Sequence, residues 1–159
     1  MRIQISAIGI GRNTAENDLI RSYLKRLETA RTLGINHIEI QEIKTTKPRS
    51  GENLKKAEAE KLLAGLPTNC RLVALDEHGK NFTSPELADY VQNCLAEGEQ
   101  TLAFVLGGAD GLDNSLRERA DLRLSLGRMT FPHLLARVLL VEQLWRSVSI
   151  LMNHPYHRA

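Results

Sequence analysis

The sequence predicts an α/β protein with a mostly parallel sheet and helices on both faces. Three observations carry this. Strand-like and helix-like patterns alternate along the chain. Glycine-containing or polar turns follow the apolar runs, at Asp76 to Gly79, Gly107 to Gly111 and Gly127 to Thr130. No repeat and no linker composition interrupts the 159 residues, so a single domain, 1–159, is the economical partition.

The elements follow in order. Arg2 to Ile10, with Ile3, Ile5, Ile8 and Ile10, reads as a strand ending at Gly9-Ile10-Gly11. A helix is expected from about Thr14 to Leu33, because Ile20, Leu24 and Leu27 share one face while Arg21, Lys25 and Arg26 lie off it. Gly34 is its stop. His37 to Ile43 alternates and forms a second strand. Lys44 to Gly51 is polar and aperiodic, contains Pro48, and is expected to be a mobile loop. A helix from Glu52 to Leu66 follows, then a short buried strand, Arg71 to Asp76, closed by a turn at Glu77-His78-Gly79. Ser84 is expected to cap the next helix, with Pro85 at its first position and Glu86 at the positive end of the dipole. That helix runs to about Ala96. Thr101 to Leu106 is another buried strand. A short helix near Asn114 to Ala120, a strand around Leu122 to Leu126 and a long helix from His133 to Met152 complete the pattern.

Composition narrows the function classes. Apolar residues at 42% and charged residues at 25% are ordinary for a globular chain, and the disorder signature is absent. A net charge of +2 excludes a uniformly basic nucleic-acid coat, so any RNA contact must come from a local patch. Cys70 and Cys94 lack metal-ligand spacing and read as buried thiols, so no metal site is expected. The N-terminus enters a strand pattern without a signal-peptide core. The apolar stretch from His133 to Met152 is broken by Arg137, Glu142 and Arg146, so it is not a membrane span. These points lead us to expect a cytoplasmic protein.

Taken singly, the candidate sites are ambiguous. Gly107-Gly108-x-x-Gly111 after an apolar strand lets a backbone approach a ligand closely, or merely makes a tight turn. It matches neither the dinucleotide fingerprint nor a phosphate loop. Leu126 to His133 interleaves apolar side chains with main-chain groups able to hold an adenine, or simply connects to a helix. The last helix is apolar around much of its circumference, which fits cover by a second subunit or burial inside a monomer. Within it, Glu142 and Arg146 form an i, i+4 pair. The tail Asn153-His154-Pro155-Tyr156-His157-Arg158 is either a frayed end or a set of groups suited to an unpaired base and its phosphate. Lys44, Lys47, Arg49, Lys55 and Lys56 form a phosphate-contacting patch or a solvated face.

Together these segments resemble the SPOUT class of RNA methyltransferases, and within it the ribosomal RNA large subunit methyltransferase H family, which methylates N3 of a pseudouridine in bacterial 23S rRNA. The resemblance covers the whole chain. Leu75-Asp76, Leu106-Gly107-Gly108-x-x-Gly111, Thr130-x-Pro132-His133, Arg137-Val138-Leu139, Glu142-Gln143-Leu144 and the Asn153 to Arg158 tail carry it. It implies a C-terminal trefoil knot, a path that pattern alone would never indicate. It implies S-adenosylmethionine as cofactor, held by Leu75, Gly107 and the loop Leu126, Gly127, Arg128, Met129, Thr130 and Phe131. Here Gly127-Arg128-Met129 departs from the small or apolar residues expected there.

The implied activity is methyl transfer to N3 of a pseudouridine in 23S rRNA, on assembled ribosomes, by a homodimer in which one subunit supplies the cofactor pocket and its partner helps dock the RNA. Tyr156, His157 and Arg158 are expected to hold the target base, with Arg158 favouring its anion and His157 as the candidate base. His133, Glu142 and Arg146 form a second tier. Alternatives are a SPOUT enzyme acting on transfer RNA, a non-catalytic ribosome-binding factor, and another nucleotide-binding α/β protein, the last disfavoured by the missing phosphate-loop lysine.

Overall fold

A computed structural model describes residues 1–12, 14–45 and 51–158. Most of the expected 44–51 loop, with Lys47 and Arg49, lies outside the described residues. The strands are β1 (Arg2–Ile8), β2 (His37–Ile43), β3 (Arg71–Asn81), β4 (Thr101–Leu106) and β5 (Leu122–Ser125). The helices are α1 (Ala15–Leu27), α2 (Gly51–Ala64), α3 (Ser84–Ala96), α4 (Asn114–Arg119) and α5 (His133–Leu151).

The strands form one five-stranded sheet in the order β2-β1-β4-β3-β5, and every pairing between them is parallel. Alternation along β4 shows how it separates two cores. Leu102, Phe104 and Leu106 pack with Ile20 and Leu27 of α1, Leu87 and Val91 of α3, and Val138, Val141 and Leu144 of α5. Ala103 and Val105 face the other way, against Ala59 and Leu62 of α2 and Leu116 of α4. Period-two side chains therefore put α1, α3 and α5 on one face and α2 and α4 on the other.

Four local expectations are corrected. The first helix ends at Leu27 and tightens into a 3-10 segment, Glu28–Leu33. There the Thr29 and Thr32 hydroxyls donate to the carbonyls three residues earlier, competing with the α-helical ladder. Gly34 still terminates it, at φ +88°. The first strand stops at Ile8 rather than Ile10, because the carbonyls of Ile8 and Gly9 accept from Arg137 of α5 instead of a neighbouring strand. Thr83, not Ser84, caps α3. Its hydroxyl accepts from the Glu86 amide and its own amide donates to Glu86 Oε2 at 2.6 Å, a reciprocal box that holds the Glu86 carboxyl below its ordinary pKa. The Ser84 hydroxyl donates to Gln143 Oε1 at 2.7 Å and ties α3 to α5. Finally, Glu77-His78-Gly79 does not end β3. The strand continues through a bulge, its register on β5 shifting between Leu75 and Lys80.

Much of the apolar surface on α5 is covered within one chain, while Leu135 is exposed. Between α1, α3 and the sheet, Val138, Leu140, Val141, Leu144, Trp145 and Val148 are all buried.

Candidate functional site

β4, β3 and β5 are neighbours, so their carboxyl ends converge at one edge, where ligands of parallel sheets bind. A cavity of about 330 Å³ opens there. Its size is at the lower end of the usual range for small-molecule sites, roughly 300–1,000 Å³. Leu75 and Asp76 of β3, Leu106 to Leu112 after β4, Leu124 to Gly127 and Met129 to Phe131 around the end of β5, and His133 and Ala136 of α5 line it.

The glycine turn has a steric reason for its composition. A Cβ on Gly107 would lie 2.7 Å from the Gly111 carbonyl oxygen, and Gly111 has φ +81°. The turn closes on itself through an antiparallel bridge between Gly108 and Gly111. The loop after β5 is folded by Ser125, whose Oγ donates to the Gly127 carbonyl at 2.8 Å and accepts from the Gly127 amide at 3.2 Å.

Charges of both signs stand on the wall. Asp76 is almost fully buried. It accepts from the His78 amide, and its Oδ2 lies 2.9 Å from Arg117 Nε, off the N–H axis, so the contact is an ion pair rather than an aligned hydrogen bond. Lys55 of α2, Glu77 and Asp110 complete the charged lining.

Of the residues expected to hold a cofactor, Leu75, Gly107, Leu126, Gly127, Met129, Thr130 and Phe131 line the cavity, and Arg128 does not. His133 joins them. Arg117 escaped sequence reading, since a lone arginine on a six-residue helix carries no signal until Asp76 is placed beside it. Lys55, read as part of a phosphate patch, also reaches this wall.

Tyr156, His157, Arg158, Glu142 and Arg146 lie elsewhere, outside the cavity lining. The chain turns after α5 through Asn153 at φ +52° and folds back on the helix, the His154 amide donating to the Ser149 carbonyl at 2.8 Å. Tyr156 then packs on Trp145, with ring centroids 5.6 Å apart. Its hydroxyl donates to Glu142 Oε1 at 2.9 Å and lies 3.4 Å from the Tyr23 hydroxyl. Arg146 donates to the same Glu142 oxygen and sits over the Tyr156 ring, 4.9 Å from its centroid. Burial, then bonding to Tyr23 and Glu142, raises the Tyr156 pKa. The bond to Glu142 raises that of Arg146. The aromatic ring expected to stack on a base is thus covered on one face by Arg146. His157 Nδ1 is buried without a hydrogen-bond partner among the described residues, and Arg158 is exposed. Glu142 lies nine residues beyond His133 on α5, about 14 Å along the axis at about 1.5 Å per residue. Within one chain, the pocket and the tail are separate.

Arg137 links the sheet edge to α5. It is 1% exposed, donates to the carbonyls of Ile8 and Gly9, and reaches Glu42 Oε1 at 3.0 Å. Burial lowers its pKa, and Glu42 opposes that shift.

Comparison with known proteins agrees with this geometry. A protein of Haemophilus influenzae described as a probable methylase family protein superposes with a TM-score of 0.51 at 14% identity, over 95% of this chain and 66% of that one, which speaks to the fold. Proteins named ribosomal RNA large subunit methyltransferase H are similar over nearly their whole length. That of Paramagnetospirillum magneticum is 47% identical over 158 residues, 99% of each chain, and that of Allorhizobium ampelinum 43% identical over 160 residues, all of each chain. The family model described as "Predicted SPOUT methyltransferase" matches residues 1–157. The chain belongs to the SPOUT methyltransferase family.

Proposed function

We propose that the protein transfers a methyl group from S-adenosylmethionine to N3 of a pseudouridine in bacterial large-subunit ribosomal RNA, in the cytoplasm, as a homodimer acting on assembled ribosomes. The observation that carries this reading is the end-to-end similarity to proteins named for methylating that RNA, in a chain that keeps a glycine-closed pocket.

The pocket fits the proposed donor. Its walls combine apolar side chains for a nucleoside, the glycine turn at Gly107, the loop residues Leu126, Gly127 and Met129 to Phe131, and charges of both signs for an amino acid. S-adenosylmethionine supplies a methyl group on a cationic sulfonium, an electrophile that needs no metal. The residues must do the rest. The acceptor is an imide nitrogen, whose proton must leave and whose anion must be steadied. In this reading Tyr156 anchors the tail on Glu142, Arg158 favours the anionic base electrostatically, and His157 is the candidate proton acceptor. His133, at the pocket wall, orients the approaching base. Holding the nitrogen in line with the methyl contributes much of the rate.

The separation of pocket and tail supports the dimer: a partner's tail would complete the site. Exposed apolar residues support it too. Ile10, Leu19, Met129 and Leu135 all lie on segments at the carboxyl edge of the sheet. The reading includes the knotted C-terminal path of the family.

Ribosomes from a strain lacking the gene, incubated with the purified protein and labelled S-adenosylmethionine, test this. Intact ribosomes, isolated subunits, naked rRNA and transfer RNA are compared, and the methyl group is mapped by mass spectrometry. The expected result is N3-methylated pseudouridine in large-subunit RNA, from ribosomes alone. Label on transfer RNA, or donor binding with no label anywhere, overturns the substrate assignment.

A further inference from the structure

The cofactor residues expected from sequence account for the apolar and backbone walls of the cavity but not for its charges. We propose that Arg117, oriented by Asp76, binds the α-carboxylate of the amino-acid part of the methyl donor. The inference rests on the S-adenosylmethionine reading above and extends it to a residue outside the expected set.

Asp76 is the starting point. A carboxylate whose side chain is 2% exposed is unfavourable unless paired, and its partners here are the His78 amide and the Arg117 guanidinium. Arg117, 29% exposed, is held at two points: Nε beside Asp76 Oδ2 at 2.9 Å, and Nη1 donating to Asn114 Oδ1 at 3.3 Å. Its Nη2 makes no hydrogen bond to a described residue. An arginine immobilised on a pocket wall with one terminal nitrogen unused is preorganised for a planar anion. Lys55 adds a second cation to the lining, while Glu77 and Asp110 supply carboxylates for an ammonium group. A zwitterion needs that juxtaposition of signs, and the amino-acid end of the donor is a zwitterion. An RNA phosphate is the other anion available. A half-enclosed arginine already partly neutralised by Asp76 suits a small monoanion better than a bulky, multiply charged chain.

Calorimetry on the intact protein decides the matter with two nucleosides: S-adenosylhomocysteine, and 5′-methylthioadenosine, which lacks the amino-acid part. Arg117→Met is expected to weaken S-adenosylhomocysteine by about ten- to a hundred-fold, the range of a charge-assisted hydrogen bond, and to leave methylthioadenosine unchanged. Arg117→Lys is expected to recover part of the loss. Equal weakening of both ligands, or of neither, overturns the assignment. So does loss of ribosome methylation at unchanged S-adenosylhomocysteine affinity, which would give Arg117 to the RNA. Should Arg117→Met not fold, the native protein suffices: decarboxylated S-adenosylhomocysteine binding as tightly as the parent overturns the proposal, and binding about tenfold or more weaker supports it. Native protein that binds none of these nucleosides overturns the donor reading itself, and this assignment with it.

Discussion

The Tyr156 hydroxyl donates to Glu142 Oε1 at 2.9 Å, pinning the chain terminus to the middle of α5. The Glu142 oxygen is shared with Arg146, whose guanidinium also covers the Tyr156 ring. The tail is therefore held by one small network. Tyr156→Phe keeps the ring contacts and removes the hydroxyl. Stability should fall by about 1 kcal/mol, the ordinary net worth of one hydrogen bond. Methylation should fall more steeply than donor affinity, because the tail loosens while the pocket stays intact. Thermal unfolding with parallel rate and binding measurements checks both.

Gly107→Ala tests the pocket. The added Cβ would stand 2.7 Å from a main-chain oxygen of Gly111, so the turn must shift. A cost of about 1–3 kcal/mol is expected from overpacking, with the fold retained. Donor affinity should drop by at least an order of magnitude, read by calorimetry beside circular dichroism. Unchanged affinity would show that the turn does not touch the ligand.

Arg137→Met should be among the most destabilising single changes. It strands the main-chain carbonyls of Ile8 and Gly9 and leaves Glu42 with the Gly11 amide as its remaining partner. Leaving a buried acceptor unsatisfied costs about 1–3 kcal/mol. Arg137→Lys should rescue little, because one ammonium cannot reproduce a planar fork across three acceptors. Urea unfolding provides the measurement.

The dimeric reading predicts complementation between subunits. A Gly107→Ala chain mixed with an Arg158→Ala chain should regain methylation, since each mixed dimer carries one intact pocket facing one intact tail. Equilibrium sedimentation of the native protein should give twice the chain mass. A monomer, or mixtures no more active than their parents, would place pocket and tail in service of different steps.

Cys94 links stability to alkaline pH. Burial raises its thiol pKa from 9.0 to about 11. Because the folded-state value is the higher one, the folded chain retains a proton that the unfolded chain loses between those values. The contribution is fully present below pH 9 and declines through pH 11, by about 3 kcal/mol in total. Cys70, also raised by burial, acts in the same direction. Unfolding midpoints measured from pH 8 to pH 11 should fall, and Cys94→Ala should flatten the slope.

The legible part of this protein was local. Period-two runs such as Leu102, Phe104 and Leu106 against Ala103 and Val105 announce a strand buried on both faces. Gly34, Gly107 and Gly111 mark their turns by what only glycine tolerates. Seven of the eight residues expected around the cofactor do line the cavity, because they sit in turns at strand ends, and strand ends in a parallel sheet converge. Arg128, in the same loop, does not: adjacency in sequence does not determine which way a loop side chain faces.

Helix caps and helix faces were less legible. Thr83 and Ser84 are equally good caps by residue type, but Glu86 stands three residues after Thr83 and closes a capping box on it, a local signal that favours Thr83. The apolar breadth of α5 fits either a partner or an interior; α1 and α3 cover Val138, Val141 and Leu144 within the chain and leave Leu135 exposed. Amino-acid order by itself determined the alternation of elements, their turns and the chemical character of the tail. Tertiary structure alone decided that Asp76 meets Arg117, that Glu42 meets Arg137, and that the tail lies on Glu142 away from the pocket of its own chain. Those pairings depend on strand order and helix packing, which bring together residues that no local pattern relates.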